Sequence, residues 1–235
     1  MKILGVAAKW LFILCVPVLL LSASIGWAVN SLWLYKYGFH KYNVGETLAE
    51  SGLELTDSEV EQIYASLISY YNSDEEYIHL TVVKDGEPFV LFNQREVAHL
   101  KDVKGLFWLD YYLFLATLIY TLGYAGVSLL WRRKKYWHRL AWGMVGGSAL
   151  TLILMMALGL GALLNIDQLF LQFHLISFSN ELWQLDPTRD YLIMLVPQAF
   201  QYNVAVFFIV AAAGLAIILG GVGGGYLLLT RSGET

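Results

Sequence analysis

Two histidines in this sequence have the side chain and the surroundings that proton transfer requires. His99 lies in a charged stretch, three residues from Glu96 and three from Asp102, whereas His174 lies among apolar residues. Imidazole has an unperturbed pKa of ~6.5, so it can both accept and donate a proton near neutral pH. If folding brings the two rings together, the sequence predicts a histidine pair that acts as base and acid.

Other polar and aromatic residues in the same two stretches could orient a substrate or the histidine rings. They are Arg95, Glu96, Asp102, Ser179, Asn180, Trp183 and Asp186. Structural hydrogen bonding at helix ends and loops is an equally good interpretation of these residues. We interpret His40, His79 and His138 as interfacial residues without a catalytic role.

Metal and nucleophile chemistry find less support in the sequence. A metal ion needs three or four ligands, which His99, His174, Glu96 and Asp102 could supply, but their spacing matches no known metal motif. No GxSxG nucleophile elbow is present, and one cysteine, Cys15, excludes an intramolecular disulfide. We therefore predict neither a metal nor a cofactor.

The composition is that of a membrane protein. Of the 235 residues, 57% are hydrophobic and 14% are charged, a balance too apolar for a typical soluble domain. The formal net charge is −4, so the chain lacks the basic surface that nucleic acid requires.

Four apolar segments are long enough to cross a hydrocarbon core of ~30 Å as helices. We predict spans over residues 1–29, 106–131, 140–164 and 202–230. Pro197 divides the last uncharged stretch, so the residues before it are expected at the interface. A cleaved signal peptide also fits the first segment, but the apolar run continues to Val29, which favours an anchor.

Basic residues predict the orientation, because cytoplasmic loops collect lysine and arginine. The loop 132–139 contains Arg132, Arg133, Lys134, Lys135 and Arg139. We therefore predict that this loop, the N-terminus and the tail 231–235 are cytoplasmic. Residues 30–105 then form an extracytoplasmic cap, and residues 165–201 form an extracytoplasmic loop and interfacial segment.

Local signals predict a small α+β cap. Thr56 and Glu59 have the spacing of a capping box before an amphipathic helix. Residues 77–83 and 88–92 are β-rich, and Asp85-Gly86 between them is a hairpin dipeptide. Residues 93–105 are predicted to form a helix that leads into the second span. The predicted fold class is a membrane α-helical protein with four transmembrane helices and this cap.

Around both histidines the chain resembles the bacterial lipoprotein intramolecular transacylases. The first matching stretch is Phe92-Asn93-Gln94-Arg95-Glu96-Val97-Ala98-His99-Leu100-Lys101-Asp102-Val103-Lys104, with Leu100 where the pattern has methionine. The second comprises Phe173-His174, Phe178-Ser179-Asn180, Trp183, Leu185-Asp186-Pro187, Asp190, Leu192-Ile193, Pro197 and Phe200. The order of one span, an outer domain and three spans extends the likeness across nearly the whole chain.

This resemblance implies acyl transfer on a bacterial lipoprotein at the outer face of the plasma membrane. The sn-2 acyl chain of an S-diacylglyceryl N-terminal cysteine would move to the α-amine of that cysteine and give a lyso-form. Family members depend on two outer-face histidines, and His99 and His174 are the matching positions. The implied partners are a diacylated lipoprotein and membrane lipid, and we expect a monomer.

The roles of the two histidines remain open in the sequence. The neighbouring carboxylates of His99 favour its charged form, which suits an acid or an oxyanion stabiliser, and the apolar setting of His174 suits a base. The reverse assignment is also compatible with the sequence. So is a non-enzymatic membrane assembly factor or sensor whose cap binds a partner. A transporter fits less well, because the spans lack ionisable residues at mid-membrane depth.

Overall fold

Helices make up most of the computed structural model, which describes residues 2–131 and 134–232. Over these residues the elements are α1 (Lys2–Val29), α2 (Leu32–Lys41), α3 (Val44–Glu50), α4 (Asp57–Tyr71), β1 (Thr81–Lys84), β2 (Glu87–Val90), α5 (Gln94–Leu130), α6 (Lys134–Ser177), α7 (Tyr191–Leu195) and α8 (Gln198–Ser232). Helices α1, α5, α6 and α8 are long and apolar enough to cross a membrane. The prediction of four such helices is confirmed.

Parts of these four helices form one compact unit, made of the described residues up to Gly26, residues 110–164 and those from Val206 onward. Phe12, Val16 and Leu140 form a small buried cluster, and the Phe12 and Tyr124 ring centroids are 4.8 Å apart. Many other apolar side chains of these helices are exposed, as with Leu163 at 85%. Such a surface is expected where lipid replaces water as the solvent.

Glycine allows helices of this unit to approach one another closely. A Cβ atom on Gly147 would lie 2.6 Å from the Cβ of Val16, and one on Gly223 would lie 2.9 Å from the carbonyl oxygen of Ala141. Atoms do not pack at such distances, so α1 meets α6 and α6 meets α8 at positions that admit only glycine without a shift. Glycine-rich contacts of this kind are typical of membrane helices.

The second compact unit consists of residues 27–109 and 165–205. Helix α4 contributes much of its core through Val60, Tyr64 and Leu67, all buried. The predicted capping box is confirmed, since Thr56 and Glu59 bond to each other's backbone N–H. The Tyr64 hydroxyl donates to the carbonyl oxygen of Leu195 at 2.8 Å. Burial raises the pKa of Tyr64, so this hydroxyl stays protonated and remains a donor.

Strands β1 and β2 of this unit form an antiparallel hairpin in which Lys84 pairs with Glu87. Asp85 and Gly86 connect the strands, with φ angles of 53° and 82°. A two-residue turn with both φ angles positive matches the twist of the strands, and Asp-Gly is a preferred sequence for it. The predicted hairpin is therefore confirmed, with strands shorter than the β-rich segments.

The helical backbone is interrupted near Pro197 and at Asn165, and only the first of these positions agrees with the prediction. Helix α7 ends at Leu195 and α8 begins at Gln198, so Pro197 divides the last uncharged stretch as predicted. Residues 166–177, which we expected within a loop, are helical up to Ser177. The backbone is non-helical only at Asn165, with φ −163° and ψ 90°. The Asn165 side chain accepts from the N–H of Gln168 at 2.9 Å, so it starts a new helical run rather than a loop.

The predicted basic loop 132–139 is also mostly helical, because α6 begins at Lys134. Arg132 and Arg133 lie outside the described residues. So does most of the predicted tail, since α8 ends at Ser232.

The glycine contact between α1 and α6 predicts a clear difference between two alanine substitutions in α6. Gly147→Ala brings a methyl group against Val16, and overpacking of this kind typically destabilises by ~1–3 kcal/mol. We expect a lower melting temperature for the purified protein in detergent. Gly159→Ala is the control, because a Cβ there meets nothing within 4 Å. Equal melting temperatures for both variants would contradict the packing.

Candidate functional site

The segment before His99 is the N-terminus of α5, and its own side chains cap it. The Asn93 side-chain oxygen accepts from the N–H groups of Arg95 at 2.9 Å and Glu96 at 3.1 Å. In return, Glu96 Oε2 accepts from the N–H of Asn93 at 2.7 Å. This reciprocal capping fixes the first turn of α5, and His99 follows one turn later.

The Glu96 carboxylate also holds a second helix start. Its Oε1 accepts from the N–H of Leu192, in the first turn of α7, at 2.6 Å. Glu96 is 1% exposed, and its two oxygens satisfy amide groups from segments far apart in the chain. Because helix N-termini carry partial positive charge, a buried carboxylate between two of them is stabilised.

Asp190 reinforces this connection from the side of α7. Its Oδ1 accepts from the Asn93 side-chain amide at 2.9 Å, and its Oδ2 accepts from the N–H of Asp186 at 2.7 Å. Asp190 is also 1% exposed. The start of α5 is therefore joined to the segment before α7 by partly buried hydrogen bonds.

His174 is held by its own helix and by aromatic rings. Its Nδ1 lies 2.8 Å from the carbonyl oxygen of Phe170, one turn earlier in α6. A carbonyl oxygen only accepts, so the hydrogen of the neutral ring is on Nδ1 and Nε2 carries a lone pair. The Phe170 and Trp183 ring centroids lie 4.1 Å and 4.7 Å from that of His174. This packing fixes the ring plane.

His99 is buried beside Phe178, a ring that also contacts His174. It is 8% exposed, and His174 is 6% exposed. The centroid of the Phe178 ring lies 5.2 Å from that of His99 and 5.6 Å from that of His174. The structure thus brings the two histidines to one phenylalanine, close enough for a charge on one ring to oppose a charge on the other.

His99 also differs from His174 in its hydrogen bonding. Its Nδ1 is buried and has no hydrogen-bond partner among the described residues. Buried polar atoms in proteins are nearly always hydrogen-bonded, so this nitrogen is available to a polar ligand. Burial favours the neutral form of both imidazoles.

The two carboxylates that flank His99 in sequence hydrogen-bond elsewhere; the charge of Asp102 still favours the charged form of His99, but burial opposes it more strongly. Glu96 bonds to backbone amides, as described above. Asp102 Oδ2 accepts from the Asn180 side-chain amide at 2.8 Å. Residues three apart on a helix can interact, but here both carboxylates accept from other donors instead. Glu96 and Asp102 therefore connect segments of the chain. Among the residues that the structure describes, they do not form a metal ligand set with His99 and His174.

The remaining predicted site residues occupy different positions. Trp183 packs on His174, whereas Ser179 is exposed in the bend after α6. Arg95 Nη2 donates to the carbonyl oxygen of Glu181 at 2.7 Å. Asp186 stabilises a turn by accepting from the N–H of Thr188 at 2.9 Å.

Asn93, Asp190 and Phe170 hold the site together, although the sequence predicts no site role for them. Asn93 and Glu96 have the spacing of a capping box with asparagine as the cap, a pattern that the sequence does contain. The Phe170 contact is local, since its carbonyl oxygen lies one turn before His174 in the same helix. The partner of Asp190 is 97 residues away, so that contact depends on how distant segments pack.

Comparison with known proteins identifies the architecture that carries this site. The family profile of the lipoprotein intramolecular transacylase Lit matches residues 10–201. The chain belongs to the lipoprotein intramolecular transacylase family. Membership makes it a membrane-integral acyltransferase and confirms the resemblance on which the sequence analysis relied.

Solved structures of a transacylase of this family share the fold. The membrane-integral lipoprotein intramolecular transacylase Lit from Bacillus cereus is similar over 100% of this chain and 99% of its own, with TM-score 0.79 and 21% identity. Two variants of that protein, with a histidine replaced by arginine or by alanine, give TM-scores of 0.75 at 20% and 19% identity. They cover 100% and 98% of this chain, and 96% and 97% of theirs. A search of curated proteins finds no match. The multi-pass membrane topology agrees with these structures.

The double contact of Glu96 predicts a graded loss of stability. In Glu96→Gln one oxygen remains to accept, but the amide NH2 faces a backbone N–H, so we expect a loss of ~1–3 kcal/mol. Glu96→Ala leaves two buried amides unpaired and should lower the melting temperature further. Glu87→Gln, at an exposed position of the hairpin, is the control. A Glu96→Gln protein as stable as the control would contradict the bridging role.

Proposed function

We propose that the chain moves the sn-2 acyl group of a diacylated bacterial lipoprotein onto the α-amine of the same molecule's N-terminal cysteine. The substrate is the S-diacylglyceryl cysteine with a free amine, and the product is the N-acyl, S-monoacylglyceryl lyso-form. His99 and His174 are the proposed catalytic residues. The observation that carries this proposal is the convergence of both rings on Phe178, with the lone pair of His174 Nε2 uncommitted.

The reaction needs little covalent chemistry from the enzyme. The amine and the ester belong to one molecule, so holding them in contact removes several kcal/mol from the barrier. The amine nitrogen attacks the ester carbonyl carbon and forms a C–N bond. Collapse of the tetrahedral intermediate breaks the bond between that carbon and the sn-2 glyceryl oxygen. One proton must move from the nitrogen to the departing oxygen.

His174 moves this proton. Its Nε2 lone pair accepts the proton that the nitrogen loses on attack, and the resulting imidazolium donates it to the glyceryl oxygen. The hydrogen bond from Nδ1 to the Phe170 carbonyl stabilises the imidazolium while it exists. The ring returns to its starting form, so each turnover begins with the same tautomer.

His99 stabilises the oxyanion. A neutral imidazole is a poor acid, because losing its proton would leave an imidazolate, but its N–H is a good hydrogen-bond donor. Since burial favours the neutral ring, a donor role toward the carbonyl oxygen suits His99 better than proton loss. Its buried Nδ1 without a partner supports a polar ligand at this position.

The aromatic lining favours transfer over hydrolysis. Phe170, Phe173, Phe178 and Trp183 lie with their ring centroids within 6 Å of His174. Water competes with the amine for the ester, and an apolar surround lowers its local concentration. Acyl chains of the substrate are compatible with the same surround.

The other predicted site residues divide into two groups. Glu96, Asp102 and Asn180 position the histidine-bearing segments through hydrogen bonds to each other and to backbone amides. Arg95, Ser179 and Trp183 are proposed to contact the substrate, and Asp186 shapes the turn beside them. No metal or cofactor takes part in this scheme.

The proposed topology places the site at the extracytoplasmic face. Residues 30–105 form the α+β cap on that side, and residues 165–201 join it, while the basic link 132–139 and both termini are cytoplasmic. The asymmetry of basic residues supports this orientation. The substrate lipoprotein is anchored in the same leaflet, and the chain acts as a monomer.

The histidine pair predicts loss of product from single substitutions. His99→Ala and His174→Ala should each reduce formation of the N-acyl lyso-form by ~100-fold or more, because general acid–base and oxyanion contributions reach this size. The measurement is mass spectrometry of the N-terminal lipopeptide after incubation of diacylated substrate with the purified protein.

Two further variants separate chemistry from folding. His174→Asn can keep a donor toward the Phe170 carbonyl but has no basic lone pair, so the protein should fold and stay inactive. His79→Ala, at an exposed position of the second unit, should keep full activity. Wild-type amounts of the lyso-form from both His99→Ala and His174→Ala would contradict the proposed catalytic role of these histidines.

A further inference from the structure

A polar cavity of about 300 Å³ lies in the second compact unit, near the start of α5. It is lined by Asn93, Arg95, Arg189 and Asp190. Asn93 and Asp190 bond to each other and to backbone amides, as described above, so they form a fixed wall. The two arginine side chains supply hydrogen-bond donors to the same cavity.

Both guanidinium groups retain donors. Arg95 uses Nη2 to bind the Glu181 carbonyl, but its Nε is buried without a partner among the described residues. The Arg189 side chain is 63% exposed, and its Nε lies 3.8 Å from Asp186 and 3.5 Å from Asp190. Each guanidinium has five N–H donors and no acceptor, so the cavity offers donors to a ligand that accepts.

The charges around the cavity favour a neutral acceptor over an anion. Arg95 and Arg189 carry two positive charges, whereas Glu96, Asp186 and Asp190 supply three carboxylates in the same hydrogen-bonded cluster. An anion would enter a site without excess positive charge and would be repelled by buried carboxylates. Amide carbonyl oxygens accept from guanidinium donors without that repulsion.

The position of the cavity relates it to the histidine pair. Arg95 precedes His99 by one turn of α5, which is a rise of about 6 Å along the helix, and its charge acts on the His99 ring. An extended peptide advances about 3.3 Å per residue. Carbonyl groups about two residues from an amine that reacts beside the histidine pair would therefore reach the cavity.

We infer that this cavity binds the backbone carbonyls of the first residues after the modified cysteine of the lipoprotein. This inference rests on the proposed function and adds a peptide-recognition site to it. The acyl chains need no peptide contact, but the α-amine is fixed relative to the following peptide bonds. Holding those carbonyls orients the amine toward the ester.

The test compares two substrates on the full-length protein in detergent. One is an S-diacylglyceryl cysteine followed by four residues, and the other is the same lipid-modified cysteine as its methylamide. We expect the wild type to prefer the longer substrate in kcat/KM, and Arg189→Met to lower that preference about tenfold, the effect of losing one charge-assisted hydrogen bond. Arg189→Lys should keep part of the preference. Lys36→Met, which removes an exposed cation outside the cavity, should leave the preference unchanged.

Three outcomes would overturn the inference. They are equal kcat/KM for both substrates in the wild type, an equal loss on both substrates in Arg189→Met, and inhibition by inorganic phosphate that Arg189→Met abolishes, which would indicate an anion site. A wild type that converts neither substrate contradicts the proposed function itself. A wild type that converts both substrates with equal kcat/KM contradicts the cavity inference only.

Discussion

The site depends on a single buried carboxylate that accepts from two helix N-termini. Glu96 bonds to the N–H of Asn93 at the start of α5 and to the N–H of Leu192 in the first turn of α7. An ionised carboxylate buried without donors would destabilise the fold by several kcal/mol. Here the backbone amides at two helix ends offset part of that cost, although burial remains the larger effect on the carboxylate. The same contact fixes where His99 lies, because the ring is one turn further along a helix whose start cannot shift.

A second connection acts on the other side of the histidine pair. Asp102 and Asn180 join α5 to the segment that follows α6, and Phe178 of that segment contacts both histidine rings. Hydrogen bonds at two places and one shared aromatic ring therefore define the relative position of residues that are remote in sequence. Because each connection is buried or partly buried, water does not compete for it as it does at an exposed ion pair.

The two compact units rely on different interactions. Helices of the first unit expose most of their apolar side chains and approach through glycines such as Gly147 and Gly223, where small size and not water exclusion permits contact. The second unit has a protein-like core around Tyr64 and Leu67, with capping boxes and a hairpin. Precise placement of catalytic groups needs directional hydrogen bonds, and those are concentrated in the second unit.

The sequence by itself determined the features that act over a few residues. The four apolar runs, the Thr56 capping box, the Asp85-Gly86 turn and the break at Pro197 follow from local sterics, capping and hydropathy. Local signals also failed where two structures compete, since Asn165 caps a new helical run instead of opening a loop. Only the tertiary structure decided that His99 and His174 share Phe178, that Glu96 serves two helices, and that the hydrogen of His174 is on Nδ1. The first two contacts join distant segments, and their geometry depends on the packing of the whole unit, which no short stretch of sequence specifies. The third lies within one helix, but the rotamer that makes it depends on the aromatic rings packed around His174.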